Sequence, residues 1–143
     1  IHRSSSSFTY YYLFDEQMFL YCSSDHALFE RPDKTIKTAE LLASKYTGMG
    51  YHSPNMEIGQ QLGLRRHTTA YDQEAVAHLI LSGRYIGYLP DHYARSFEER
   101  GLMRPIGGEK FQYRCQFNGI VRSSPAPSKL TSAFVRAMLE AGQ

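Results

Sequence analysis

The sequence predicts an α/β fold built on a parallel sheet, from three observations between residues 46 and 90. Short runs with strand character at 46–49, 66–70 and 85–89 alternate with two amphipathic helices. Each helix carries its own start and stop signals. The run Gly83-Arg-Tyr-Ile-Gly-Tyr-Leu-Pro90 then carries a helix stop straight into a buried strand. Such alternation implies parallel strands joined by helical crossovers, and sheets of that kind place ligands at the carboxyl ends of their strands. The residues just after Met49, Ala70 and Leu89 are therefore where function is expected.

From the start of the chain, Ser4 to Ser7 reads as a flexible lead-in or exposed loop. Tyr10-Tyr-Tyr-Leu-Phe14 and Met18-Phe-Leu-Tyr-Cys22 are rich in strand-favouring residues and flank the polar Asp15-Glu-Gln17, which predicts two extended segments around a turn. The second run is apolar enough to be covered on both faces. Ser23-Ser-Asp25 breaks it, and Arg31-Pro-Asp33 turns again. A short helix is predicted over 38–44, with Ala39, Leu42 and Ala43 on one face. Ser53 suits an N-cap, Pro54 the first helical position and Gly63 the stop. Asp72 caps a helix whose buried stripe is Ala75, Val76, Leu79 and Ile80, ended by Gly83. Gly87 lets neighbours pack closely inside the sheet. A short, partly exposed helix follows Asp91. Phe111, Tyr113, Cys115 and Phe117 alternate with polar residues as in a half-buried strand, and Asn118-Gly119 reads as a turn before a continuation at 120–122. After Pro125-Ala-Pro127, the last helix is expected to bury Leu130, Ala133, Phe134, Ala137, Met138 and Ala141.

With 143 residues, the chain is long enough to bury a core. No apolar run approaches the span of a bilayer, and the start carries no apolar segment of the secretory kind. A net charge of +2 with scattered basic residues, Arg65-Arg66 apart, does not predict a nucleic-acid surface on this chain. Cys22 and Cys115 both sit in strand-like segments, which reads as buried thiols rather than a disulfide framework. The six histidines share no short metal-ligand spacing, so no metal site is expected. No Gly-x-Ser-x-Gly elbow or matched nucleophile and base is present, so neither catalysis nor a cofactor is expected. The glycines of 83–87 precede a strand, not a helix, and so form no phosphate loop. His26 is read as ordering its own turn, and His78 as a surface or rim residue.

Taken in order, Leu20-Tyr-Cys-Ser-Ser-Asp-His26-Ala-Leu-Phe29, Gly48-Met-Gly-Tyr-His-Ser-Pro54, Leu81-Ser-Gly-Arg-Tyr-Ile-Gly-Tyr-Leu-Pro90 and Ala133-Phe134-Val135 resemble the effector-binding domain of LysR-type transcriptional regulators. The likeness runs from about residue 1 to residue 139. Ala27 stands where that family commonly has proline, and Tyr85 where it has a second glycine. The resemblance implies a two-lobe, type 2 periplasmic-binding-protein-like fold, with the second lobe complete over 19–102. The first lobe is partial, at 1–18 and 103–143. It also implies a cytoplasmic dimer or tetramer, with DNA contacted only through a helix-turn-helix domain outside these residues, and no membrane partner. The alternative on the same architecture is a solute-binding protein for transport of a small anion. The two free-looking cysteines and the lack of a signal segment favour the regulator.

The resemblance and the strand-end argument meet at one place. The loop from Gly50 through Tyr51, His52 and Ser53 opens at a strand's carboxyl end, where the next helix presents free N–H groups and the positive end of its dipole. That arrangement favours a small anionic metabolite, which the resemblance places between the lobes. Thr69 and Tyr71 stand at the corresponding end of the next strand, and Pro90 at the third. Ser53 is accounted for by capping alone, whereas Tyr51 and His52 have no such structural duty. Phe8, Tyr10 and Tyr12, or the final helix, are expected to supply a self-association surface.

Overall fold

A computed structural model describes residues 6–50 and 54–142 of the chain. Six strands, β1 (Phe8–Ser23), β2 (Tyr46–Met49), β3 (Arg66–Ala70), β4 (Ile86–Pro90), β5 (Met103–Ile106) and β6 (Tyr113–Arg122), are interleaved with five α-helices. The helices are α1 (Thr38–Ala43), α2 (Pro54–Leu62), α3 (Gln73–Leu81), α4 (Asp91–Glu99) and α5 (Lys129–Ala141). The chain divides into two compact units, one of residues 17–113 and one of residues 1–16 with 114–143.

In the larger unit the strands lie in the order β3-β2-β4-β1-β5. The β3-β2-β4 part is parallel, as the alternation predicts, with Met49 opposite Ala70 and Tyr46 opposite Ile86. β1 runs antiparallel to both of its neighbours here, pairing Met18 with Pro90 and Leu20 with Ile106, so the sheet is mixed rather than purely parallel. The short β5 has no predicted counterpart. It holds Pro105, which an edge strand tolerates. Val76, Ala77 and Ile80 of α3 and Ala94 of α4 pack with Tyr21, Met49, Leu89 and Met103 into the main core.

Local chemistry explains most of the element ends. The Asp72 carboxylate accepts from the Ala75 N–H at 2.7 Å, the cap its position predicts. Replacing it with alanine is expected to cost about 1 kcal/mol, read from a urea midpoint, while asparagine retains most of the stability. Gly83 ends α3 at φ +76°, and a Cβ there would come within 2.8 Å of the Asp25 Cβ, so both conformation and space demand glycine. Gly87 lies against Thr47, Ile80 and Val76 as expected. His26 Nδ1 accepts from the Leu28 N–H at 3.2 Å, ordering the turn after β1, and burial lowers its pKa. The Arg104 guanidinium closes that region. It donates to the carbonyls of Leu28 at 2.9 Å, Phe29 at 2.6 Å and Arg31, and pairs with Asp33 at 3.0 Å. Cys22 and Cys115 are free thiols, and burial pushes Cys22 up to about 11.

Three expectations need correction. β1 is one continuous strand, without a turn at Asp15-Glu-Gln17. Its polar residues have partners that suit an extended chain: Asp15 faces Arg114 at 3.9 Å, and the Gln17 amide donates to the Tyr113 carbonyl at 3.2 Å. β6 likewise runs unbroken through Asn118-Gly119. In the smaller unit β6 pairs with the first half of β1, and the Ser123 N–H donates to the Ser7 carbonyl at 2.9 Å. Phe14 stacks on Phe117 with ring centroids 5.0 Å apart. Finally, α5 does not bury the predicted stripe, since Leu130 is 81% and Phe134 64% exposed. Val135 is buried instead, with Met138 and Leu139 half-buried. Gly119 lies near this face, with the Met138 methyl 3.2 Å from where a Cβ would stand. Of the Ser4–Ser7 run, only Ser6 and Ser7 are described, as a turn into β1.

Candidate functional site

Parallel pairing of β3, β2 and β4 brings three strand ends to one edge of the larger unit, and α2, α3 and α4 each start there. The β2 and β3 ends are tied together, since the Gly50 N–H donates to the Ala70 carbonyl at 2.8 Å. Gly50 is there because nothing larger fits. A Cβ would stand 2.5 Å from Thr69 Cγ2 and 2.7 Å from the Tyr71 ring. The result is a corner with bare backbone between the exposed Thr69 and the Tyr71 ring, which is 69% exposed. Such an aromatic face can cover an apolar ligand body while its hydroxyl meets water or a polar group.

Thus the structure brings Gly50, Thr69 and Tyr71 together. Pro90 ends the third strand of the same edge, but it is fully buried and serves as the N-cap residue of α4. Tyr51, His52 and Ser53, with the cap expected of Ser53, lie outside the described residues.

Charge is uneven along this edge. α3 begins with the Asp72 cap and Glu74, and α4 begins with Asp91, whose carboxylate accepts from the His92 N–H at 2.7 Å. These carboxylates already answer the dipoles of both helices. Partial burial, and then Glu74 and Asp72, raise the pKa of Tyr93 on α4. The end of β2 is different. Arg66 begins β3 at the far end of the strand, yet its side chain runs back over Gly48 and donates to the Met49 carbonyl at 2.7 Å. Its positive charge therefore lies at the β2 end, next to Gly50. Sequence reasoning missed this residue, because a strand's first residue reads as remote from its last. The only signal was that Arg65-Arg66 is a basic doublet in an otherwise scattered set. Among the described residues, no three His, Cys, Asp or Glu side chains gather as a metal site would require, and no helix is long and apolar enough to cross a membrane.

Comparison with known proteins agrees with this architecture. Residues 2–143 match the LysR substrate binding domain family. The chain belongs to that family. The LysR domain described here is 37% identical over 133 residues to the HTH-type transcriptional activator BauR of Pseudomonas aeruginosa, covering 93% of this chain and 44% of BauR. It thus spans less than half the length of that relative. The regulatory domain of CrgA, a LysR-type regulator from Neisseria meningitidis, superposes with a TM-score of 0.74 at 21% identity, over 99% of this chain and 72% of that one. DarR of Vibrio fischeri, solved in complex with DNA, gives 0.69 at 11% identity, over 94% and 46%. At such identities the structural likeness speaks for the fold alone. The family match makes the chain an effector-binding domain of a transcriptional regulator. LysR regulators are not enzymes, and they act in the cytoplasm on DNA through a helix-turn-helix domain. The transport reading of the same architecture is set aside.

Proposed function

We propose that the effector of this LysR domain is a small anionic metabolite, held where β2 ends and α2 begins, with Gly50, Tyr51, His52, Ser53, Thr69 and Tyr71 around it and Pro90 closing the neighbouring strand. The observation that carries this reading is the charge along the strand ends. Of the three helix starts, those of α3 and α4 have acidic residues at the first or capping position. α2 has Glu57 in its first turn but no acidic residue at its first position, and at the strand end before it the Arg66 guanidinium is bound to the Met49 carbonyl. Backbone N–H groups, a dipole end and a neighbouring cation together favour a carboxylate, sulfate or phosphate. The Tyr71 face suits a ligand with an apolar or aromatic body.

In this reading residues 19–102 form the second lobe of the regulator, and 1–18 with 103–143 belong to the first. Effector binding favours one arrangement of the protein over another, and a DNA-binding domain outside these residues reads out the shift. Self-association draws on exposed apolar side chains of the smaller unit, among them Phe8, Tyr12, Leu130 and Phe134.

The test is a thermal-shift screen of small carboxylates and aromatic acids against the full-length regulator. A ligand that binds only the native state raises its stability by about 2.7 kcal/mol at a hundred times its Kd. Replacing Tyr51 and His52 by alanine is expected to abolish that rise while leaving the unliganded melting temperature almost unchanged. A rise that survives both replacements places the ligand elsewhere.

A further inference from the structure

Helix α2 is seated differently from α3. Whereas α3 presses Val76, Ala77 and Ile80 into the core, the one buried residue among those described on α2 is Gly59, with Met56, Ile58 and Leu62 only half-buried. Gly59 rests on Tyr46. A Cβ there would stand 3.2 Å from both Tyr46 Cε1 and the hydroxyl oxygen, and one on Gly48 of the strand would also stand 3.2 Å from Cε1. At this contact the helix therefore meets the sheet through bare backbone on a flat ring, where packed helices ordinarily interdigitate side chains. Beside it a cavity of about 60 Å³, lined by Tyr46, Met49, Met56, Gln60 and Leu64, leaves part of the helix's inner face without partner atoms. Tyr46 is only 3% exposed, and its hydroxyl has no hydrogen-bond partner among the described residues. The chain is fixed again at the buried Leu64. Between the two lies Gly63 at φ +82°, where a Cβ would meet only the Leu42 methyls at 3.8 Å, a glycine joint with room around it.

We propose that α2 is a lid, which leaves the sheet and reseats while the rest of the larger unit stays folded. Release gives up little apolar burial, because the helix brings a glycine where α3 brings valine and isoleucine. It also admits water to the Tyr46 hydroxyl, a group that pays for burial without a partner when the helix is down. A nine-residue helix does not hold its own hydrogen bonds in water, so the released lid melts. The N–H groups at the start of α2 are then aligned only in the seated state, and an anion bound to them favours that state. This use of the lid rests on the effector site proposed above. The lid itself does not.

The test is native-state amide hydrogen exchange of the full-length protein with no ligand added, resolved by mass spectrometry of its peptides. The amides of 58–62 are expected to be protected about 100-fold less than those of 77–81. Low urea should leave their exchange unchanged, because release exposes little surface, while exchange at 77–81 quickens as global unfolding grows easier. Tyr46→Phe removes the group that gains water on release, so exchange at 58–62 is expected to slow about tenfold and to remain insensitive to urea. Equal protection of the two helices, exchange at 58–62 that quickens with urea as it does at 77–81, or a 58–62 rate that Tyr46→Phe leaves unchanged or raises overturns the proposal.

Discussion

Arg104→Ala is expected to lower stability by about 3 kcal/mol, a large loss for a single substitution in this domain. The guanidinium lies on β5, opposite Cys22 of β1, and holds the chain between Leu28 and Asp33 through three carbonyls and one carboxylate. With its side chain only 24% exposed, its removal leaves several acceptors short of donors where water reaches them poorly. Arg104→Lys should recover only part of the loss, because an ammonium cannot address separated acceptors with a planar fork. Urea titration followed by circular dichroism gives both values. A loss under about 1 kcal/mol for the alanine variant would show that these carbonyls find water instead.

Gly87→Val is the second large effect, expected at about 2–3 kcal/mol through overpacking. Gly87 pairs with Tyr21 on one side and Thr47 on the other, and a Cβ there would stand 2.8 Å from Thr47 Cγ2 and 3.2 Å from both Ile80 Cδ1 and Val76 Cγ1. Strand and helix are packed so closely that side-chain atoms must move outright. Gly87→Ala should cost less, and Thr47→Ser, which removes the nearest methyl, should restore part of it. The coupling in that double-mutant cycle is expected to exceed about 0.5 kcal/mol. Additive effects would mean that the strain is relieved elsewhere.

The segment that carries its own punctuation was legible. Asp72, Gly83 and Pro90 act locally, through a cap, a positive φ and a strand end, and the β2-α2-β3-α3-β4 order followed from them. What failed depends on partners distant in sequence. Asp15-Glu-Gln17 looks like a turn because its polarity reads as exposure. In the fold, Asp15 and Gln17 instead meet Arg114 and Tyr113 at the far end of the chain. α5 carries apolar residues on more than one face, and its pattern alone does not choose the buried Val135 over the exposed Phe134 beside it. At the candidate site, strand ends and the positions of Thr69 and Tyr71 could be read. The close fit of Gly50 and the reach of Arg66 could not, because each depends on what lies across the ladder.

The mixed sheet also sets an order of assembly. Strands β2, β3 and β4 are joined by short crossovers, whereas Met18 must find Pro90 and Leu20 must find Ile106, across more than seventy residues. Contacts so distant in sequence form slowly. During synthesis, Met18-Phe-Leu-Tyr-Cys22 therefore emerges before either flanking strand and spends that interval without both. Such an apolar ribbon is open to wrong partners until they arrive.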